Sequence, residues 1–142
     1  RVGQSIIEKS TDKDGKDTTP TPAASTRVVS KGTAADMMDM MESVMDEEYK
    51  NVIKVKGYRL AGKTGTAEVA DSSGALTRIV GDTSVVIPAD NPRYVITVMF
   101  MNPSEHGGIA TGPVINAIGE FLMQKYKIPQ STPRKSAIST TW

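Results

Sequence analysis

The stretch GYRLAGKTGTAEV, residues 57–69, restricts the possible fold more than any other part of the chain. Its apolar and β-branched residues are typical of a β-strand, but Lys63 stands between Gly62 and Gly65 in the middle of the run. A lysine is costly to bury in a sheet unless it has a charged partner or takes part in chemistry. Glycine weakens a strand interior and often marks the place where a ligand or another backbone comes close. The stretch therefore predicts a strand that borders a groove at the edge of a sheet.

Side chains alternate along a strand, so Lys63 and Gly65 are expected on one face and Thr64 and Thr66 on the other. The residue types agree on one chemistry. Lysine supplies positive potential, the hydroxyls can donate to a carboxylate, and backbone N–H groups at a strand edge can receive a developing oxyanion. A second interpretation needs no site, because lysine protects an ordinary edge strand from aggregation and threonine is a good strand former. The residue types alone leave both interpretations open.

Length and composition limit the class of protein. The chain has 142 residues, about one domain, and its 17 basic and 16 acidic residues give a net charge of +1 without a basic cluster. Nucleic acid is therefore not indicated as a partner. The absence of cysteine excludes disulfides and a thiolate metal site. No run of about 18 apolar residues and no charged-then-apolar leader occurs, so nothing in this chain is predicted to span a membrane or to direct export, and any such segment would lie upstream.

The first part of the chain predicts a strand, a loop and a helix. Val2, Ile6 and Ile7 indicate a strand already under way at the first residue, from which we expect a fragment of a longer protein. Residues 10–26 lack an apolar period and predict an exposed loop or hairpin tip. The letters DKDG within this loop lack the glycine offset and the terminal glutamate of a calcium loop, and we interpret them as a turn.

An amphipathic helix is expected next, with Ser30 as its N-cap. We interpret its methionines as core residues rather than as a binding groove. Its apolar face is predicted to comprise Ala34, Met37, Met38, Met41, Val44 and Met45. Its acidic and solvated face is predicted to comprise Asp36, Asp39, Glu42, Glu47 and Glu48.

The remainder of the chain predicts an antiparallel meander followed by a helix. Residues 51–70 predict one long strand or two short ones, and a DSSG turn and the strands TRIVGDTSVVI and RYVITVMFM follow, joined by PADNP. Gly112 and Pro113 predict the start of the last helix. The stripe of this helix that packs against the sheet is expected to comprise Val114, Ile118, Phe121 and Leu122. Periodicity is lost after Pro129, which predicts a mobile tail over residues 129–142.

The order of these motifs resembles a known family. The chain is similar to the C-terminal third of a penicillin-binding protein transpeptidase domain. The similarity lies in KTGTA on a strand, which follows a helix opened by RVVSKGTA and precedes ADNPRYVITV and GGIATGPV. Over residues 1–128 it resembles the class B, division-type septal peptidoglycan D,D-transpeptidases. The resemblance implies an α+β fold of the β-lactamase and transpeptidase kind, an antiparallel sheet flanked by helices. The chain has no Ser-x-Asn element and no Ser-x-x-Lys element at a predicted helix start, as expected if it begins downstream of both.

The resemblance also implies roles for the residues of the predicted edge strand. Lys63 would hold positive potential beside the proton-transfer partners of the nucleophile. Thr64 and Thr66 would bind the terminal carboxylate of the substrate, and Gly65 would let the peptide backbone approach. The backbone N–H of Thr66 would form half of the oxyanion hole, and the other half would come from the nucleophilic serine outside this chain.

The implied activity is the cross-linking of peptidoglycan during cell division through a serine acyl-enzyme. No metal and no organic cofactor is implied. The implied partners are the N-terminal remainder of the same protein, peptidoglycan stem peptides, β-lactam antibiotics and divisome proteins. The implied location is the extracytoplasmic face of the bacterial cell membrane, with an anchor upstream of this chain. Two alternatives share the fold, a serine β-lactamase and a non-catalytic β-lactam sensor or structural domain.

Two details complete the expectations for the site. Before PADNP the family carries an aromatic residue and a glycine, where this chain has Thr83, Val85 and Val86, so the packing behind the site is expected to differ. His106, the only histidine, lies in PSEHGG and is interpreted as part of a solvent-exposed connector.

Overall fold

The computed structural model describes residues 9–21 and 24–135. The chain divides into two compact units, Arg1–Ala34 and Ala35–Trp142. The strand predicted from Val2, Ile6 and Ile7 lies outside the described residues. The elements in chain order are α1 (Lys31–Glu48), β1 (Ala61–Ala70), β2 (Leu76–Ile87), β3 (Tyr94–Met101) and α2 (Gly107–Lys125).

A small hairpin lies in the first unit, before α1. Its ends pair through an isolated antiparallel bridge. The carboxylate of Asp12 accepts hydrogen bonds from the backbone N–H groups of Asp14 at 2.9 Å and Lys16 at 3.0 Å. Gly15 closes the turn with φ +80°, a conformation that favours glycine. The hairpin tip predicted around DKDG is confirmed, and its carboxylate serves the backbone of the turn.

Helix α1 begins at Lys31, directly after the predicted N-cap Ser30. The Ser30 hydroxyl accepts a hydrogen bond from the backbone N–H of Thr33 at 3.0 Å, which satisfies one of the free donors of the first turn. The predicted apolar face is correct only towards the C-terminal end of the helix. Met45 is 2% exposed and belongs to the core, whereas Met37 is 52% exposed. The core therefore meets the last turns of α1.

Glu42 contradicts the prediction that it lies on the solvated face, because it is 3% exposed. Burial of a carboxylate is costly unless it is paired, and two arginines supply the pairing. Arg59 donates from Nη2 to Oε2 at 2.6 Å and from Nε to Oε1, and Nε of Arg134 lies 3.8 Å from Oε2. The bond with Glu42 raises the pKa of Arg59 above its ordinary value.

The strands form a three-stranded antiparallel sheet in the order β1-β2-β3, as the meander predicted. The predicted DSSG turn joins β1 to β2. In that turn the carboxylate of Asp71 accepts from the N–H groups of Ser73 at 2.8 Å and Ala75 at 3.2 Å. The predicted hairpin geometry of this region is therefore confirmed.

The strand expected from residue 51 begins only at Ala61. Before it, the backbone N–H of Lys54 donates to the side-chain oxygen of Asn116 at 2.7 Å, and that of Arg59 donates to Ser131 Oγ at 3.0 Å. These donors are used by side chains rather than by a neighbouring strand, which is why the segment is irregular. Its apolar residues still enter the core, which comprises Met45, Ile53, Val55, Leu60, Val85, Ile87, Ile96, Ile115 and Met123.

Helix α2 begins at Gly107, so the prediction of a start at Gly112 was wrong. Pro113 lies inside the helix, where it lacks the N–H of a normal helical bond. The earlier start places Gly107 directly against the sheet. A Cβ on Gly107 would contact the carbonyl oxygen of Gly65 and would lie 3.0 Å from the backbone N and O of Asp82. Glycine permits this close approach, and the first turn of the helix depends on it.

The predicted apolar stripe of α2 was also wrong. Val114, Ile118 and Phe121 are 36%, 38% and 58% exposed, although Leu122 packs at the border of the core. The buried face comprises Gly107, Gly108, Thr111, Gly112, Ile115, Gly119 and Met123. Small residues allow the helix axis to come close to the sheet, so they face it in place of the larger apolar side chains.

The segment after Pro129 was predicted to be a mobile tail, and its mobility stays a prediction. Its described residues nevertheless make specific polar contacts. The Ser131 hydroxyl donates to Asp90 Oδ1 at 2.7 Å, and the N–H of Thr132 donates to Asp90 Oδ2 at 2.9 Å. Burial would raise the pKa of Asp90, but these hydrogen bonds outweigh burial and hold the pKa below its ordinary value. Residues 136–142 of the predicted tail lie outside the described residues.

Arg134 joins this segment to α1. It donates from Nη2 to Asp39 Oδ1, from Nη2 to Ser43 Oγ at 2.8 Å and from Nη1 to Asp46 Oδ2 at 3.1 Å. Burial lowers the pKa of Arg134, but the bonds with Asp39 and Asp46 and the charge of Glu42 more than offset burial and raise it above the ordinary value. Within the described ranges, no helix is long and apolar enough to cross a membrane.

Candidate active site

The KTGT residues lie on the outer strand of the sheet. β1 pairs with β2 through Lys63↔Ser84, Thr64↔Thr83, Gly65↔Asp82 and Thr66↔Gly81. No strand of the described chain pairs with the other side of β1. The prediction of an edge strand is therefore confirmed.

Lys63 lies on the face of the sheet that α2 does not cover. Its partner Ser84 on β2 shares a hydrogen bond of 2.8 Å with Thr97 on β3, so these polar residues form a row across that face. The Lys63 side chain is exposed, and its Nζ donates to the carbonyl oxygen of Thr64 at 2.7 Å. An exposed ammonium is hydrated, so its charge needs no partner in this chain.

The contact of Lys63 also shows how the strand backbone is oriented. Because the inner side of β1 is paired with β2, we infer that the Thr64 carbonyl that Lys63 reaches lies at the outer edge. In an antiparallel ladder the N–H and C=O of one residue point to the same side, and the side alternates along the strand. The backbone N–H of Thr66 therefore points to the outer edge as well.

Thr64 and Thr66 lie on the opposite face from Lys63, as the strand period predicted. Thr64 is half-buried there, and its Oγ1 lies 3.2 Å from the hydroxyl oxygen of Tyr49. The Tyr49 ring packs against Gly108 in the first turn of α2, where an added Cβ would strike the ring. Thr66 is exposed. Sequence reasoning missed Tyr49, because nothing in the residues around it signals a contact with the edge strand.

Gly65 is the point of closest approach in the candidate site. An added Cβ would contact Asp82 Oδ1 and lie 3.0 Å from the carboxyl carbon of Asp82. On the other face, the start of α2 reaches the Gly65 carbonyl through Gly107. The close approach that this glycine indicated is therefore made, within the described chain, by Asp82 and by α2.

The residues before PADNP form part of the packing behind β1, and whether it differs from the rest of the family stays a prediction. Thr83 and Val85 are both 0% exposed. The Thr111 hydroxyl lies 2.7 Å from Thr83 Oγ1 and 2.7 Å from the carbonyl oxygen of Gly107. A carbonyl can only accept, so Thr111 donates to Gly107 and accepts from Thr83. The hydroxyl pair thus joins α2 to the middle strand, and the Val85 side chain lies against Gly62 on β1.

His106 is the residue before α2 and is exposed, which confirms the predicted connector. Its side chain makes no capping bond, and its carbonyl accepts from the N–H of Ile109 at 2.9 Å and of Ala110 at 3.0 Å. In the part of the chain that the structure describes, no group of three or more His, Cys, Asp or Glu residues is arranged to hold a metal ion.

Comparison with known proteins identifies the fold. Residues 2–120 match the penicillin binding protein transpeptidase domain. The chain is 35% identical over 113 residues to the peptidoglycan D,D-transpeptidase FtsI homolog of Mesostigma viride, covering 76% of this chain and 19% of that protein. It is 33% identical over 145 residues to the penicillin-binding protein PbpB of Mycobacterium tuberculosis, covering 92% of this chain and 21% of that protein. The chain thus spans about a fifth of the length of these relatives.

Solved structures agree with the sequence relatives. A peptidoglycan synthetase from Bifidobacterium adolescentis is 48% identical with a TM-score of 0.83, covering 98% of this chain and 26% of that one. Penicillin binding protein 3 from Mycobacterium tuberculosis, complexed with ampicillin, is 28% identical with a TM-score of 0.75, covering 95% of this chain and 33% of that one. The predicted α+β fold and the predicted family are both confirmed. This chain, with its Lys-Thr-Gly-Thr edge strand, belongs to the penicillin-binding protein transpeptidase domain family.

Proposed function

We propose that the protein to which this chain belongs is a serine-type peptidoglycan D,D-transpeptidase, and that β1 forms one wall of its active site. The observation that carries the proposal is the edge position of the KTGT residues. Their outer side has no strand partner in the described chain, and both the Thr66 N–H and the Thr64 carbonyl point to it. A groove between this edge and residues outside the chain would expose a cation, two hydroxyls and a backbone donor together.

In the proposed reaction, a serine outside this chain attacks the carbonyl carbon of the penultimate D-alanine of a stem peptide. The terminal D-alanine leaves with a proton on its nitrogen, and an amine of a neighbouring strand then displaces the serine from the acyl-enzyme. Lys63 contributes positive potential near the proton transfers, and the hydroxyls of Thr64 and Thr66 bind the terminal carboxylate. The N–H of Thr66 stabilises the oxyanion, together with the N–H of the serine.

The same geometry would accept a β-lactam, whose carboxylate would occupy the place of the substrate carboxylate. Relatives described as complexed with ampicillin and with aztreonam support this part of the proposal. Relatives named peptidoglycan D,D-transpeptidase favour this function over a β-lactamase or a β-lactam sensor. We further propose that residues 1–128 complete a transpeptidase domain with the N-terminal remainder of the protein.

We also propose that the protein acts in cell division with divisome partners, at the extracytoplasmic face of the membrane. Relatives that carry the FtsI name support this assignment. Peptidoglycan is cross-linked on that side of the membrane, so the substrate would meet the site there. An upstream segment would provide the anchor.

The test compares lysine variants of the full-length protein. Lys63→Ala is expected to lower the rate of labelling by fluorescent penicillin by orders of magnitude and to leave the melting temperature unchanged, because the side chain is exposed and serves charge rather than packing. Thr66→Val is expected to reduce labelling less, because the backbone N–H of the oxyanion hole survives. Lys56→Ala, at another exposed lysine, is the matched control. Wild-type labelling by a folded Lys63→Ala protein would refute the proposal.

A further inference from the structure

The Tyr49 hydroxyl touches one of the candidate carboxylate-binding residues, Thr64, from inside the fold. It lies 3.2 Å from Thr64 Oγ1, and both side chains are partly buried. A threonine hydroxyl carries one proton and can accept as well as donate. Its rotor is free to turn unless a neighbour fixes it, so a second hydroxyl at hydrogen-bond distance determines which way the proton of Thr64 points.

Tyr49 is itself held from three directions. Its ring packs against Gly108, where a Cβ would strike the ring. Its backbone carbonyl accepts from the N–H groups of Val52 at 2.9 Å and Ile53 at 2.8 Å, and its own N–H donates to Met45 O at 3.2 Å. The phenol is therefore anchored to the end of α1 and to the start of α2, and it presents its hydroxyl to β1.

We propose that Tyr49 is a positioning residue that orients Thr64 for a carboxylate ligand. This inference rests on the proposed function, in which Thr64 binds the terminal carboxylate of the peptide or the β-lactam. The phenol donates its proton to Thr64 Oγ1, and Thr64 then has its own proton available for the carboxylate. Hydrogen bonds in such a chain polarise one another, so the second bond gains from the first.

The proposal predicts that the effect of Tyr49 passes through Thr64. Tyr49→Phe keeps the ring against Gly108 and removes only the hydroxyl, so the rate constant of acylation by benzylpenicillin is expected to fall about three- to tenfold, the effect of one lost hydrogen bond. In a Thr64→Val background the same change is expected to have an effect of less than about twofold, because no hydroxyl remains to be oriented. In a Thr64→Ser background, which retains a hydroxyl, the loss is expected to return.

The experiment is a double-mutant cycle on the full-length protein. Acylation is followed by quenching the labelling reaction at timed intervals, at a temperature at which thermal melts show that every variant is folded. Tyr58→Phe is the matched control, since it removes a phenol that donates to Ile128 O at 2.6 Å, away from the KTGT residues. That variant is expected to acylate at the wild-type rate. Unchanged acylation by Tyr49→Phe, or an equal loss in the wild-type and Thr64→Val backgrounds, would overturn the inference.

The design separates this inference from the proposed function. If Thr64→Val acylates like the wild type while Lys63→Ala does not, the positioning role fails and the transpeptidase assignment stands. If Lys63→Ala also acylates like the wild type, the proposed function itself fails. A loss that is present in the wild-type and Thr64→Ser backgrounds and absent in the Thr64→Val background supports the role assigned to Tyr49.

Discussion

Glu42 offers the sharpest test of how the domain is held together. The sequence predicted this carboxylate on the solvated face of α1, but the structure buries it. The perturbation is Glu42→Gln, which keeps the size of the side chain and removes its charge. Arg59 holds both carboxylate oxygens of Glu42. After the substitution, the amide nitrogen would face a guanidinium donor that has lost its acceptor.

The magnitude follows from burial. Breaking a buried ion pair by removing one charge costs about 3–5 kcal/mol. The Glu42 side chain is 4% exposed, but the side chains of Arg59 and Arg134 are 25% and 11% exposed, so water can recover part of the loss. We therefore expect the lower end of the range, about 3 kcal/mol, which is roughly a hundredfold change in the unfolding equilibrium.

The assay is urea unfolding of the full-length protein at neutral pH. The dependence of the unfolding free energy on urea concentration must be the same in wild type and variant, so that a shift of the midpoint reports a change in stability. Asp46→Asn is the matched control. It removes a carboxylate that accepts from Arg134 Nη1 at 3.1 Å but is 54% exposed, so a loss of only about 0–1 kcal/mol is expected. Equal losses in the two variants would show that burial does not set the cost, and the reasoning would be refuted.

Two further predictions follow from the tail contacts and from α2. Because the pKa of Asp90 is lower in the folded protein than its ordinary value of 3.8, its ionised carboxylate stabilises the fold above pH 3.8, and this stability is lost as the pH falls through the folded pKa. Asp90→Asn should therefore flatten the acid side of a plot of unfolding free energy against pH. Parallel plots for the two proteins would contradict this. Gly107→Ala should cost about 1–3 kcal/mol in the same urea assay, because its Cβ meets fixed backbone of β1 and β2. Gly32→Ala, whose Cβ meets only Ser30 Oγ at 3.7 Å, should be neutral or slightly stabilising, and a Gly107→Ala protein as stable as this control would contradict the packing argument.

Local patterns predicted those elements whose causes are local. Ser30 caps α1 because a hydroxyl at that position reaches the N–H of Thr33 within the same turn. The segment TRIVGDTSVVI predicted a strand, and it forms β2, in which Thr83, Val85 and Ile87 are buried at alternate positions. The edge position of Lys63 was also accessible to sequence reasoning, because a lysine between glycines is costly in the centre of a sheet.

The failures have a common physical origin in contacts between residues far apart in the sequence. Pro113 satisfied a local rule for a helix start, but the close approach of Gly107 to β1 and β2 decided where α2 begins. Glu42 fitted the polar face of a helix, but its burial depends on Arg59, which lies 17 residues later in the sequence. Tyr49 carried no signal at all, since its contact with Thr64 exists only once α1, α2 and β1 have packed together.

These contacts separate Lys63, which would act on a substrate, from the groups that hold β1, whereas Thr64 would do both. The strand is fixed on its covered face, where Tyr49 meets Thr64 and the start of α2 meets the Gly65 carbonyl. Lys63, on the other face, is exposed and bonds only to the neighbouring Thr64 carbonyl among its described contacts. Substituting Lys63 should therefore change charge at the groove with little change in folding free energy, since exposed polar substitutions usually have small effects. Substituting Gly107 should do the reverse, and the two variants together would show whether a loss of acylation comes from chemistry or from displacement of the strand.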